Sequence, residues 1–367
     1  KSRAARAGAG AARRVVRRVV ALRNRTLLNM FDYAILPGRL QPPHRGHVSL
    51  ILAGLEQART VIVACTGDGL SRSILRPWTT AERIAIVRAI LPAHAAARVH
   101  VIAIADNPYR PRRSATTLSQ RVHDVIREDG AKPEAARIAL LGCDAGARSH
   151  YERWLPQWPR IGGPRDEHCV SAALRAELLG SPEAHTACAD DCLADRAAAA
   201  LPPDQYAVLR DEFAANEAFR ARWADAPWPP VFVTVDAVVV ADNKVLLIER
   251  GHFPGRGLWA LPGGFLDPGE RLRDACLREL AEETAIDCDE AVLVDALCGV
   301  EVFDAPERSA RGRTITHAFH FALAGSPPGV RGGDDAAAAR WVAIAELRSQ
   351  QMFEDHYAIV QAMLGVE

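Results

Sequence analysis

The sequence predicts an α/β protein with two domains, a doubly wound parallel sheet followed by a mixed sheet packed between helices. Three observations carry this. First, YAIL from Tyr33, TVIVACT at 60–66, VHVIAIA at 99–105 and RIALLG at 137–142 are short, continuous apolar runs separated by helical patterns. Strands buried on both faces that alternate with helices imply a parallel sheet. Second, residues 180–229 are rich in alanine and acidic residues and close on Pro227-Trp228-Pro229-Pro230, a stiff break suited to a domain boundary. Third, VFVTVDAVVV at 231–240 and KVLLIER at 244–250 flank Asp242-Asn243, which is a hairpin signal and requires antiparallel pairing. The expected divisions are a basic, disordered tail at 1–29, a first domain at 30–180, a helical connector at 181–229 and a second domain at 230–367.

Composition narrows the function class. The chain has 367 residues, enough for two ordinary cores, with 49% apolar and 25% charged residues. Its formal net charge is zero, so nothing global points to nucleic acid or a membrane surface. No apolar run reaches the length of a membrane span. Eight cysteines without framework spacing favour a reducing, cytoplasmic compartment. His185, Cys188 and Cys192 are too loosely spaced to read as a metal site.

The elements follow in order. Residues 1–29 carry arginines and one lysine but no acidic residue, and patterned sequence starts just after Met30, a further candidate for the natural start. Helical patterns are expected at 47–58, 80–91 and about 118–128 in the first domain. Between its first strand and first helix stands Gly38-Arg39-Leu40-Gln41-Pro42-Pro43-His44-Arg45-Gly46-His47. Ligands of parallel sheets bind beyond the carboxyl ends of the strands, and a helix amino terminus favours an anion. His44 and His47, with Arg39 nearby, can donate hydrogen bonds to phosphate oxygens there.

In the second domain, Leu272, Ala275, Cys276 and Leu280 form an apolar stripe, so about 270–284 should be helix. Glu279, Glu282 and Glu283 stand at i, i+3 and i+4 on it. Clustered like charges gain a purely structural helix nothing, whereas oxygen ligands of this kind suit Mg²⁺ bridging to substrate phosphates. Arg278 can hold Glu282, and Pro262-Gly263-Gly264 lets backbone approach a ligand closely. AVLVDALCGVEVF, TITHAFHFAL and ARWVAI follow as further apolar runs, and MFEDHYAIVQAML at 352–364 is expected to be an amphipathic helix.

The stretch from Gly264 through Glu270 to Arg278-Glu279-Leu280-Ala281-Glu282-Glu283 resembles the Nudix box and matches its fixed positions except at Ala285, where the family has glycine. The resemblance implies the Nudix α/β/α fold, hydrolysis of a nucleoside diphosphate linked to another moiety, and Mg²⁺ (or Mn²⁺) held by Glu279, Glu282, Glu283 and Glu270. Glu282 is the leading candidate for the base. The 38–47 stretch resembles the signature of nucleotidyltransferases of the nicotinamide mononucleotide (NMN) adenylyltransferase type, which implies a Rossmann-like first domain. Pro77-Trp78-Thr79-Thr80-Ala81-Glu82-Arg83 resembles a second motif of that family. Cys169-Val170-Ser171-Ala172-Ala173-Leu174-Arg175 resembles a third, with Ala172 in place of threonine. Leu141-Gly142-Cys143-Asp144-Ala145-Gly146 lacks the expected histidine and lysine, although 149–158 resembles the tract after it.

Gly257-Leu258-Trp259-Ala260-Leu261-Pro262, the 302–317 segment and Met352-Phe353-Glu354-Asp355-His356 extend the likeness to the bifunctional NMN adenylyltransferase/Nudix hydrolases over residues 31–367. That family implies NAD synthesis from NMN and ATP in the first domain, using Gly38, Arg39, Gln41, His44, His47 and Arg175. It implies hydrolysis of ADP-ribose in the second, with Gly263 and Gly264 at the site, Arg311 and Arg313 as clamps on the diphosphate and Phe303 as a stacking surface or a core residue. Trp259 reads as core. Two further readings stay open: a hydrolase whose first domain only binds nucleotide, and a nucleotide-sensing regulator. The regulator would be expected to carry a DNA-binding helix-turn-helix domain, and only one helix follows the last strand. Homo-oligomer formation is left open.

Overall fold

The structure is a computed structural model and describes residues 30–143, 150–164, 171–180 and 199–365. The basic tail, Asp144 to Ser149, Cys169, Val170 and the His185, Cys188 and Cys192 trio lie outside the described residues.

The first part of the chain builds strands β1 (Phe31–Gly38), β2 (Ala58–Thr66), β3 (Val99–Ile104), β4 (Ile138–Cys143) and β5 (Arg160–Gly163). They form one sheet in the order β3-β2-β1-β4-β5, and every pairing is parallel. Between and after them run helices α1 (Arg45–Gln57), α2 (Thr80–Ile90), α3 (Ala93–Ala96), α4 (Pro111–Glu128), α5 (His150–Trp154), α6 (Ser171–Gly180) and α7 (Pro203–Ala221).

The continuous apolar runs follow from burial on both faces. Ala34 and Leu36 of β1 pack with Leu50, Ile51 and Leu55 of α1. The alternate residues Tyr33 and Ile35 pack with Leu118, Val122 and Ile126 of α4. Helix α4 begins seven residues before the expected 118, because Pro111 occupies its first turn, where the missing N–H costs nothing.

The second sheet uses β6 (Val231–Ala241), β7 (Lys244–Arg250), β8 (Trp259–Ala260), β9 (Gly263–Phe265), β10 (Leu297–Phe303), β11 (Arg313–Leu323) and β12 (Ala336–Ala343). Its order is β10-β11-β6-β7-β12, with β8 on β7 and β9 on β6. The β6–β11 pairing is parallel and the others are antiparallel, so the sheet is mixed, as expected. Asp242 and Asn243 have φ of 47° and 56°, the left-handed pair that a two-residue hairpin of this twist needs.

Helix α8 (Leu272–Thr284) covers one face through Ala275, Cys276 and Leu280 against Val235, Ala237 and Val239. Helix α10 (His356–Leu364) covers the other, with Ile359 and Val360 against Val238 and Val245. One apolar run is split: 291–295 belongs to helix α9 (Glu290–Asp295), and only Leu297–Phe303 is strand. Trp259 is half-buried against the α10 side of the core, with the Arg340 guanidinium 3.7 Å from its ring centroid.

Candidate active sites

The second-domain site is built on α8. Its buried face includes Glu283 as well as Leu280, because positions 276, 280 and 283 share one stripe. Glu283 accepts a hydrogen bond from the Gly263 backbone N–H at 2.8 Å. A Cβ on Gly263 would lie 2.1 Å from the Val235 carbonyl oxygen, and one on Gly264 would lie 2.4 Å from Glu279 Oε1. Gly263, at φ of 158° and against backbone, has no room for a side chain, whereas a side chain at Gly264 would have to displace the movable carboxylate end of Glu279. Burial pushes the Glu283 carboxyl up to about 8, aided by Glu279 and Asp236, and the Gly263 N–H offsets part of this. Burial likewise raises Glu279.

Arg278 is the hub of the cluster. Its guanidinium donates to Glu270 at 2.9 and 3.0 Å, to Glu279 at 2.9 Å and to Glu282 at 3.0 Å. Glu282 lies on the exposed side of α8, while Glu279 and Glu283 turn toward Gly263 and Gly264. Among the described residues, no three acidic, histidine or cysteine side chains are already gathered around one point that could hold a metal ion. The donor set still fits a hard divalent cation. Glu279 and Glu283 are two partly or wholly buried carboxylates whose charged forms disfavour each other, and a cation reverses that penalty. Glu279, Glu283, Glu282 and Glu270 are the residues that would hold it.

Arg311 lies over the ring of Phe265, the last residue of β9, at 4.9 Å. Arg313 is turned toward Asp304, donating to its carbonyl at 2.6 Å. Phe303 requires a correction. It is fully buried among Val238, Leu347 and Ile359 and meets the Tyr109 ring edge-on at 4.8 Å, so it offers no face to a base. The rest of β10 is largely exposed, and the chain turns inward only at its last residue, Phe303.

In the first domain, the loop from Gly38 to His44 leaves the carboxyl end of β1. Leu40 has φ of 46° and is buried, an unusual conformation for a branched residue that the surroundings must impose. Arg83 braces the loop beside it: fully buried, it donates to the Arg39 carbonyl at 2.5 Å, the Thr66 carbonyl at 2.8 Å and Thr80 Oγ1 at 2.7 Å. The Gln41 amide is held by the Trp78 backbone, donating to its carbonyl at 2.7 Å and accepting from its N–H at 3.1 Å. Gln41 thus shapes the loop.

His44 precedes α1, and its backbone N–H donates to His47 Nδ1 at 3.2 Å. The two rings are 3.8 Å apart. Burial, then the neighbouring His44, lowers the His47 imidazole to about 3. From α6, Ser171 Oγ donates to the Pro42 carbonyl at 3.3 Å, and Arg175 donates to the Gln41 carbonyl at 2.5 Å. The tract at 171–175 therefore stands at the same loop as the histidines.

The cytidylyltransferase-like family matches residues 35–141, and the NUDIX domain family matches residues 231–363. An ADP-ribose pyrophosphatase of Methanocaldococcus jannaschii is 36% identical over 129 residues, covering 35% of this chain and 70% of that protein. A nicotinamide/nicotinic acid mononucleotide adenylyltransferase of Acinetobacter baylyi is 29% identical over 131 residues, covering 36% of this chain and 66% of that protein. A crystal structure of a bifunctional NMN adenylyltransferase/ADP ribose pyrophosphatase from Francisella tularensis is 30% identical, with a TM-score of 0.81, covering 92% of this chain and 99% of that one. The chain belongs to this bifunctional NMN adenylyltransferase/ADP-ribose pyrophosphatase family. A second structure of the Francisella protein is complexed with AMP and a Mn ion, and its Nudix relatives require a divalent metal.

Within this member of the family, several residues at the sites escaped the sequence reading. Arg83 was visible only as part of a motif, with nothing to say that it was buried. Arg76, Glu307 and Arg308 carried no local signal, because they meet only when the two domains are docked. A cavity of about 600 Å³ lies between the domains, with Arg39, Thr66 and Arg76 on one side and Glu307, Arg308 and Asp355 on the other.

Proposed function

We propose that the chain is a bifunctional enzyme of NAD metabolism. Its first site transfers AMP from ATP to NMN, giving NAD and pyrophosphate, and its second hydrolyses ADP-ribose to AMP and ribose 5-phosphate with Mg²⁺. The observation that supports this most is the presence, in one chain, of the His44–His47 loop at the end of β1 and the Glu279–Glu283 pair against Gly263 and Gly264. The proposed divisions are 30–180 for the adenylyltransferase, 181–229 for the connector and 230–367 for the Nudix domain. A reducing cytoplasmic location is supported by free Cys65, Cys276, Cys288 and Cys298 and by the lack, among described residues, of a helix long and apolar enough to cross a membrane.

At the first site no side-chain nucleophile is needed. An oxygen of the NMN phosphate attacks the α-phosphorus of ATP, and the bond to the leaving pyrophosphate breaks. The loop and the start of α1 align the phosphates, and the histidines and Arg175 oppose the charge that develops on the oxygens. At the second site a water oxygen adds to one phosphorus of the diphosphate, and the bridging P–O bond breaks. Arg278 keeps Glu279 and Glu282 in place, and Arg311 is poised to bind a phosphate. A divalent cation held by the carboxylates would neutralise the diphosphate and acidify the attacking water.

The test follows NAD formation from NMN, ATP and Mg²⁺, and AMP release from ADP-ribose, in wild type, His47→Ala and Glu282→Gln. Loss of NAD formation in His47→Ala alone, and of AMP release in Glu282→Gln alone, is the expected result. AMP release without any NAD in wild type would instead mark the first domain as a nucleotide-binding relic. Ala172 in the third motif gives that second reading its support.

A further inference from the structure

The 600 Å³ cavity is of nucleotide-pocket size, and its wall is shared between the loop after β1 in the first domain and the second domain. The carboxyl ends of β1 and β2 supply Arg39 and Thr66, while the segment after β10 in the second domain supplies Glu307 and Arg308. The guanidinium of Arg39, in the middle of the GRLQPPH loop, is engaged by the Glu307 carboxylate. Arg76 lines the same cavity, with its Nε buried and without a hydrogen-bond partner. Burial disfavours its charge, with Glu354 and Asp355 compensating only in part. An anion entering the cavity would find one guanidinium in need of a partner and another held by a carboxylate.

The segment that carries Glu307 is fixed in place. Arg308, next in sequence, is buried and pairs with Asp355 at 2.9 and 3.0 Å, and Asp355 also accepts from the hydroxyl of Tyr109 in the first domain. Ser71 Oγ donates to the Met352 carbonyl at 2.6 Å, and Ser349 Oγ to the Gly69 carbonyl at 2.5 Å. The position of Glu307 is thus set by the docking of the domains and is not a chance excursion of a surface loop.

We propose that Glu307 of the second domain competes with nucleotide at the first site: it occupies the Arg39 guanidinium at the mouth of the cavity and is displaced from it by a phosphate of the incoming nucleoside triphosphate. This rests on the adenylyltransferase reading of the first domain. Carboxylate and phosphate both fit the guanidinium fork, so the exchange needs no rearrangement of Arg39 beyond its tip. Both partners are more than half exposed, with side-chain exposures of 54% and 60%, and such pairs are weak enough to be exchanged readily. The triphosphate carries more charge than the carboxylate it replaces, so the exchange runs toward bound nucleotide.

The experiment titrates a non-hydrolysable α,β-methylene ATP into the full chain, as wild type, Glu307→Gln and Glu307→Asp, at low and high salt. KM and kcat for ATP are measured alongside in NAD formation. Removing the competitor is expected to tighten analogue binding by about two- to fivefold at low salt, with the gain shrinking at high salt. It should lower KM for ATP without a matching change in kcat, and aspartate should restore wild-type values. Equal or weaker binding by Glu307→Gln overturns the proposal while leaving the adenylyltransferase reading intact. If neither wild type nor variant binds the analogue, that reading fails and the proposal fails with it.

Discussion

At the scale of single residues, the two sites manage charge in opposite ways. The Nudix site gathers carboxylates and ties three of them, Glu270, Glu279 and Glu282, to one arginine. The first site buries His47, which disfavours its charged form. The pH consequence is definite in sign. The His47 imidazole is held near 3 in the folded protein, against an ordinary value of 6.5, so between those limits the unfolded chain binds the extra proton. Its contribution to stability is therefore complete above about 6.5 and is lost as pH falls toward 3. His47→Gln should flatten the stability profile across that window in urea titrations at stepped pH. A proton NMR titration should find the His47 resonances shifting only below about pH 4 without ligand, and at higher pH when ATP is bound.

At the scale of elements, α8 shows how a local departure from the family pattern is accommodated. Ala285, where the Nudix box carries glycine, caps the helix at φ 38° and ψ 44°, with its N–H on the Ala281 carbonyl at 2.9 Å. A left-handed alanine costs about 1 kcal/mol relative to glycine. Ala285→Gly should raise unfolding stability by roughly that amount in chemical denaturation, and a neutral or destabilising result would show that the cap is not strained. The element pattern was otherwise legible. Strand runs, the Asp242-Asn243 hairpin and the α8 stripe were readable because burial imposes periods of 2.0 and 3.6 directly on the sequence. The start of α10 was not. Residues 352–355 continue the apolar pattern, but Glu354 takes φ of 42° and its carboxylate turns to the Ala310 N–H, so the helix begins only at His356.

At the scale of the whole molecule, the two domains are joined by buried charge as well as apolar contact. Burial alone would raise the Asp355 carboxyl, but Arg308, His356 and Tyr109 together hold it below its ordinary range. Glu212 of α7 accepts from the backbone N–H of Ile74 at 3.5 Å and of Gly255 at 3.3 Å, so the connector helix bonds to both domains at once. Removing one partner of a buried pair leaves the other uncompensated, which costs about 3–5 kcal/mol. Asp355→Ala should lower stability by that order and separate the urea transitions of the two domains, followed by intrinsic fluorescence and by circular dichroism. A single, unshifted transition would show that the docking network contributes nothing.

The sequence by itself determined the two sheets, their parallel and mixed characters, the histidine loop and the acidic helix. Each of these is written in residues close together along the chain, where spacing alone reports which side chains share a face. The tertiary structure decided what spacing cannot express. It turned Phe303 into the core, spent the Gln41 amide on Trp78 and set Glu307 of one domain against Arg39 of the other. Those outcomes depend on which surfaces meet when distant segments pack, and partners 268 residues apart leave no periodic mark on either stretch.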